Sequence, residues 1–201
     1  VNRVEIIRTA DVPPVLLAAV AAGIERVLQI KCRVRPDPVS IAVPPDPARG
    51  QLHSTAVLQW LQFIDGVAGR LVAVTGADLF VPVLTFVFGE AQLPGRYAVV
   101  STHRLREEFY GLPPNDELLE ERLVKEAIHE LGHTYGMVHC DDWECVMTSS
   151  HAVERLDVKR ASLCRGCGRD FRLRLDAPLH FTAGSPPRAP RFRIPYLSRK
   201  T

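Results

Sequence analysis

Charge of one sign, long apolar runs and cysteine are all in short supply in this chain. Basic and acidic residues nearly cancel, leaving a net charge of +2 at pH 7, too little to argue for a nucleic-acid or membrane partner. No long basic run with interleaved aromatics is present, so nothing points to nucleic acid by that route either. The most apolar run, Val12 to Ile24, is too short to span a bilayer. Pro13 and Pro14 open it, as the first turn of a helix tolerates, and Glu25 and Arg26 continue it, which sets it apart from a signal-peptide core. What remains is an ordinary soluble composition: 201 residues, 46% apolar and 24% charged. That suits one domain with a small appendage, working in the cytoplasm and expected to be a monomer.

Against this plain background one stretch is far from ordinary. Residues 129 to 139 read H-E-x-x-H-x-x-G-x-x-H. His129 and His133 lie four apart, so on a helix both imidazoles leave one face and can share one zinc ion. Glu130, beside the first histidine, can take a proton from a water at the metal without being a ligand. Gly136 stands where the helix must stop, since glycine accepts the left-handed conformation. The turn returns His139 as a third nitrogen ligand and leaves a fourth position open.

The chain before this stretch alternates strands and helices. Val4 to Arg8 reads as a strand and Val12 to Ile24 as a buried helix. After Cys32 to Arg35 and a Pro-rich join, Val39 to Val43 reads as a second strand, ended by Pro44, Pro45 and Pro47. Ser54 caps an expected helix to Val67, with Val57, Leu61 and Ile64 at helical spacing, and Leu71 to Val74 is a third strand. This order predicts an α+β fold whose N-terminal half is α/β-like, with a mixed twisted sheet. Leu84 to Gln92 and Gly95 to Thr102 read as two more strands. A sheet edge there could bind an extended peptide by strand addition; the alternative is that both strands simply pair within the sheet. Asp116 then opens a long helix with acids in its first turns, and Leu119, Leu123, Ala127, Leu131 and Tyr135 form its apolar stripe.

Four of the five cysteines follow the histidines. Cys140-x4-Cys145 and Cys164-x2-Cys167, with Gly166 and Gly168 at the last knuckle, have the spacing of a structural zinc site. Two disulfides are the alternative, which a reducing cytosol disfavours. Ser150 to Ala161 between the pairs looks helical. His53, His103, His151 and His180 match no motif. From Ala177 on the chain is Pro-rich and basic, with Arg188, Arg191, Arg193, Arg199 and Lys200 and no acid. It reads as a solvated tail or as a strap across the cleft.

The histidine motif, followed by Cys140-x4-Cys145-x-Met147 and Cys164-x-x-Cys167, resembles the archaemetzincin family of the metzincin clan. The segments Phe86-Val87-Phe88-Gly89-Glu90-Ala91 and Ala98 to Ser101 look like that family's as well. The resemblance implies a zinc metallopeptidase with two zinc ions, one catalytic and one structural. It also implies a long active-site helix and a small C-terminal subdomain built around the structural zinc. His129, His133 and His139 would hold the catalytic zinc, with Glu130 as general acid/base and Met147 packed beneath. Cys140, Cys145, Cys164 and Cys167 would hold the structural one, and Phe86 to Ala91 would align a peptide or protein substrate. The implied division is 1–136 for the N-terminal subdomain, 137–176 for the C-terminal subdomain and 177–201 for the tail. Some metzincins add a tyrosine two residues after the methionine; Ser149 stands there instead. The rivals are a zinc-stapled peptide-binding protein with an inert or vacant histidine site, and a metallohydrolase acting on a non-peptide amide or ester.

Overall fold

The computed structural model describes residues 2–175. Its centre is a five-stranded sheet in the order β2-β1-β4-β7-β6. The strands are β1 (Arg3–Arg8), β2 (Lys31–Val34), β4 (Arg70–Thr75), β6 (Gly89–Ala91) and β7 (Tyr97–Ser101); β3 (Leu52–His53) and β5 (Leu79–Phe80) form a separate pair. The helices are α1 (Pro14–Leu28), α2 (Ser54–Leu61), α3 (Asp116–Thr134), α4 (Val153–Asp157) and α5 (Arg165–Leu175). Strands β1, β2, β4 and β7 are parallel, and β6 alone runs antiparallel, against β7. The expected mixed sheet is therefore present.

The period-two alternation of the strands divides the core between the two faces. Val4, Ile6, Val72, Val74, Ala98 and Val100 join α1 and α3 on one side. Ile7, Leu71, Ala73 and Val99 join Val57, Leu58 and Leu61 of α2 on the other. Each fully buried aliphatic side chain stabilises the fold by about 1.5–3 kcal/mol, so the sheet is a rigid base for whatever α3 carries. Asn115 starts α3 by accepting from the Leu118 amide at 3.0 Å, and Asp116 and Glu117 complement the dipole in the first turn.

Several local expectations differ from what forms. Val39 to Val43 makes no strand; Val39 contributes one bridge to Thr9, and Lys31–Val34 pairs with β1 instead. The prolines around that segment (Pro38, Pro44, Pro45) remove ladder donors, whereas β2 follows α1 directly and falls beside β1. Helix α2 stops at Leu61, where the amides of Phe63 and Ile64 bond back to Trp60 and Leu61 at 3.0 and 3.1 Å. Ser54 does not cap it; its hydroxyl donates to the Phe80 carbonyl at 3.0 Å and to the Glu90 carboxylate. Of Leu84 to Gln92 only Gly89–Ala91 is strand; Val87 makes an isolated antiparallel bridge to Leu79. The helix expected over Ser150 to Ala161 shortens to α4, and α5 was not anticipated. The basic tail lies outside the described residues.

Candidate metal centre

Helix α3 and the turn after it bring the three motif histidines together. Their ligand nitrogens all lie within 4.8 Å of one another. The turn is built as its glycine required: Gly136 has φ +83°, and the Gly136 and Met137 amides bond back to His133 and Gly132 at 2.8 and 3.2 Å. The His139 ring thereby comes to 5.3 Å from that of His129 and 5.0 Å from that of His133.

Two main-chain carbonyls set the ring orientations. His129 Nδ1 lies 2.8 Å from the Val146 carbonyl oxygen, and His133 Nδ1 lies 2.8 Å from that of Met137. A carbonyl only accepts, so each Nδ1 carries the hydrogen and each Nε2 presents a bare lone pair. These two Nε2 atoms face each other at 3.0 Å. Burial lowers the pKa of both rings, His129 the more strongly, so the neutral form is favoured. Two lone pairs at that distance repel unless a cation lies between their axes, and this donor set fits zinc.

Glu130 is buried on the same helix. Its carboxyl pKa is raised well above the ordinary range, first by burial and then by the charges of Glu126 and Glu90. Strand β6 passes directly over it: a Cβ on Gly89 would stand 2.7 Å from Glu130 Cγ and 3.0 Å from Oε1. Glycine therefore lets the sheet edge approach the carboxylate. Below the helix, fully buried Met147 approaches Gly132 so closely that a Cβ there would meet its sulfur at 2.6 Å.

The four late cysteines also converge, with their sulfurs within 4.8 Å of one another. Cys140 Sγ and Cys164 Sγ are 3.9 Å apart, near the edge of a tetrahedron of zinc–sulfur bonds, about 3.8 Å for bonds of about 2.3 Å. All five cysteines are free, so the two-disulfide alternative is not formed. The Cys164 and Cys167 amides point at Cys145 Sγ and Cys164 Sγ at 3.3 and 3.4 Å. The bond from the Cys167 amide is the largest cause of the lowered Cys164 thiol pKa, while burial raises that of Cys145. Cys164 stands at the N-terminus of α5, where helix amides favour thiolate, whereas burial pushes the Cys167 thiol up.

Of the six residues Phe86 to Ala91, the structure brings Gly89 against Glu130. Phe86 lies under the Arg104 guanidinium at 4.3 Å, Val87 bonds through its amide to Leu79 at 2.9 Å, and Phe88 is buried in the core. The Glu90 carboxylate accepts the hydroxyls of Ser54 and Thr55 on α2, and Ala91 pairs with Ala98. His53, His103 and His151 stand outside the clusters. Sequence reasoning missed a buried ion pair beside His129, between Lys159 Nζ and Glu126 Oε1 at 3.7 Å. Glu126 sits three residues before His129 on the same helical face, a signal that was present in the spacing.

The model of peptidase family M54 matches residues 59–173. The archaemetzincin of Methanocaldococcus jannaschii is 44% identical over 120 residues, 60% of this chain and 65% of that protein. That of Thermococcus kodakarensis is 47% identical over 135 residues, 66% of this chain and 73% of its own length. Among solved structures, the archaemetzincin of Methanopyrus kandleri superposes with a TM-score of 0.77 at 33% identity, covering 87% of this chain and 96% of that one. A zinc-dependent peptidase from Methanocorpusculum labreanum gives 0.77 at 30% identity, covering 86% and 100%. The match to the family model over more than half the chain, together with these relatives, places this chain in peptidase family M54, among the archaemetzincins.

Proposed function

We propose that this chain hydrolyses peptide bonds as a zinc-dependent peptidase. One observation carries it: the buried imidazole of His129 and the half-buried one of His133, each with Nδ1 committed to a main-chain carbonyl, aim bare Nε2 atoms at one point beside a buried carboxylate. His129, His133 and His139 hold the catalytic zinc, and Cys140, Cys145, Cys164 and Cys167 hold a second, structural one. Gly136 makes the turn and Met147 supports the helix. The active-site cleft lies between residues 1–136 and 137–176, and the cytoplasm keeps the thiols reduced for metal.

Zinc in the histidine cluster would polarise the scissile carbonyl and acidify the attacking water. Glu130 takes the water's proton on its carboxylate and delivers it to the departing nitrogen. Burial raises the Glu130 carboxyl pKa, which makes its carboxylate a stronger base than an exposed one. Gly89–Ala91, the edge strand over Glu130, offers main-chain groups to an extended peptide, which would lie antiparallel or parallel to it as an added strand. The archaemetzincin relatives and the zinc-dependent peptidase of Methanocorpusculum labreanum support the same function.

The test is a peptide library incubated with the zinc-loaded protein and read by mass spectrometry, with Glu130→Gln alongside. The variant is expected to keep both metals and to lose about 10²–10⁴-fold in turnover. Equal turnover in the two proteins would remove Glu130 from the chemistry. Peptide binding without cleavage by the native chain would point instead to a zinc-stapled peptide-binding protein.

A further inference from the structure

Lysine is rarely buried unless paired, yet Lys159 is 3% exposed. Its ammonium stands 3.7 Å from Glu126 Oε1 and donates to the Val146 carbonyl at 3.4 Å. That carbonyl is the one facing His129 Nδ1 at 2.8 Å. The Val146 amide in turn donates to Ser162 at 2.9 Å. Val146 is thus held on both sides, its carbonyl by the His129 ring and by Lys159, its amide by the Ser162 carbonyl.

We propose that Lys159 is a positioning residue for the histidine cluster. It fixes the Val146 carbonyl that orients His129 and balances the buried carboxylates of Glu126 and Glu130. The inference rests on the metal-binding role proposed above for His129. Without the ammonium the carbonyl keeps His129 as its donor, but the lysine no longer restrains its direction, and Glu126 loses its buried countercharge. Outer partners of metal-binding histidines act in this way, and their loss typically costs ten- to a hundredfold in metal affinity or activity.

The segment that delivers Lys159 is anchored by other contacts. Arg122 holds Asp157 with two bonds of 2.7 Å, and Lys125 donates to the Leu156 and Asp157 carbonyls at 3.2 Å each. Removing the Lys159 ammonium therefore withdraws one donor and one charge without detaching α4 from α3.

The experiment uses the full chain and metal alone. Zinc affinity is measured by chelator competition for the native protein, Lys159→Met, Lys159→Arg and Glu126→Gln, and cobalt(II) absorption reports each site separately. Lys159→Met is expected to keep the cysteine-site metal and its thiolate bands. Its histidine-site affinity should fall ten- to a hundredfold, with altered histidine-site cobalt bands. Lys159→Arg, which retains charge and donor, should recover most of the loss, as a volume effect alone would not. Native affinity and an unchanged histidine-site spectrum in Lys159→Met would overturn the proposal. Should Lys159→Met not fold, Glu126→Gln decides: it should weaken the histidine site by a smaller factor, and native affinity there would overturn it. Failure of the native protein to cleave peptides would count against the peptidase function and leave the metal result standing.

Discussion

The histidine and cysteine clusters meet in the chain, where Cys140 follows His139, but they are built in opposite ways. Two of the three histidines ride on α3, whose apolar residues are already buried against α1 and the sheet. His133 is oriented by the Met137 carbonyl on the turn after α3, and His129 by the Val146 carbonyl next to Cys145. The four cysteines come from loops and the start of α5, a helix that buries little besides Phe171. There the sulfur cluster sits at the margin of the apolar core, beside Val146, Met147, Val153 and Leu156. The first arrangement is a scaffold that can accept metal; the second is chain that metal would hold. Three nitrogens also leave a coordination position for chemistry, and four thiolates leave none.

The largest expected effect tests that asymmetry directly. His129→Ala should lose the histidine-site zinc alone, whereas Cys145→Ala should lose both metals, because His139 is carried by the strand of chain that the cysteines secure. Elemental analysis of zinc per chain measures this; a cysteine variant that keeps the histidine-site zinc would show the two clusters to be independent. A smaller effect separates geometry from ligation. Gly89→Ala places a Cβ against Glu130 and should cut peptide turnover by about 10²-fold, the scale of an ångström's misplacement, with both zincs retained. Kinetics and zinc content on the same sample check it, and native turnover would mean that the edge strand does not constrain the carboxylate.

The smallest effect concerns acid. Histidines and thiolates compete with protons for metal, so both clusters should release zinc before the sheet unfolds. Asp78, near β5, behaves differently. Burial alone would raise its carboxyl pKa, but hydrogen bonds from Arg104 and Gln51 bring it below the ordinary carboxylate value. Its folded pKa thus lies under its unfolded one. The stability it contributes is full above the unfolded value and disappears as pH falls through the folded one. Asp78→Asn should cost about 1–3 kcal/mol at neutral pH and flatten the acid limb of the stability curve. A metal-release dye and circular dichroism followed over one pH series would show zinc leaving first; simultaneous loss would contradict the division.

Much of this organisation was legible in residue order. Helical spacing fixed α3 and its histidines, since Leu119, Leu123, Ala127 and Leu131 share the buried stripe. Cysteine spacing brought out the second cluster for the same reason: ligands close in sequence announce each other. Contacts between distant residues stayed hidden. Val39–Val43 is flanked by prolines, and Lys31–Val34 becomes the strand through its pairing with β1. Helix α5 was obscured by Gly166 and Gly168, and it is held by Phe171 packing at 5.0 Å on Tyr135, a tertiary contact. The pairing of Lys159 with Glu126 joins distant parts of the chain, and one sequence does not announce it.

Strand β6 ends the sheet on one side. Among the described residues it is paired only with β7, so its other side is a bare sheet edge that any extended chain can join, another copy of this protein included. Only Gly89–Ala91 form it, and Glu90 puts a carboxylate in the middle. A short, acid-bearing edge can grip one peptide whose other contacts lie elsewhere, yet it gives too short a ladder for two such edges to hold each other. An extended chain that joins this edge beside the Glu130 carboxylate therefore gains a ladder of three residues at most.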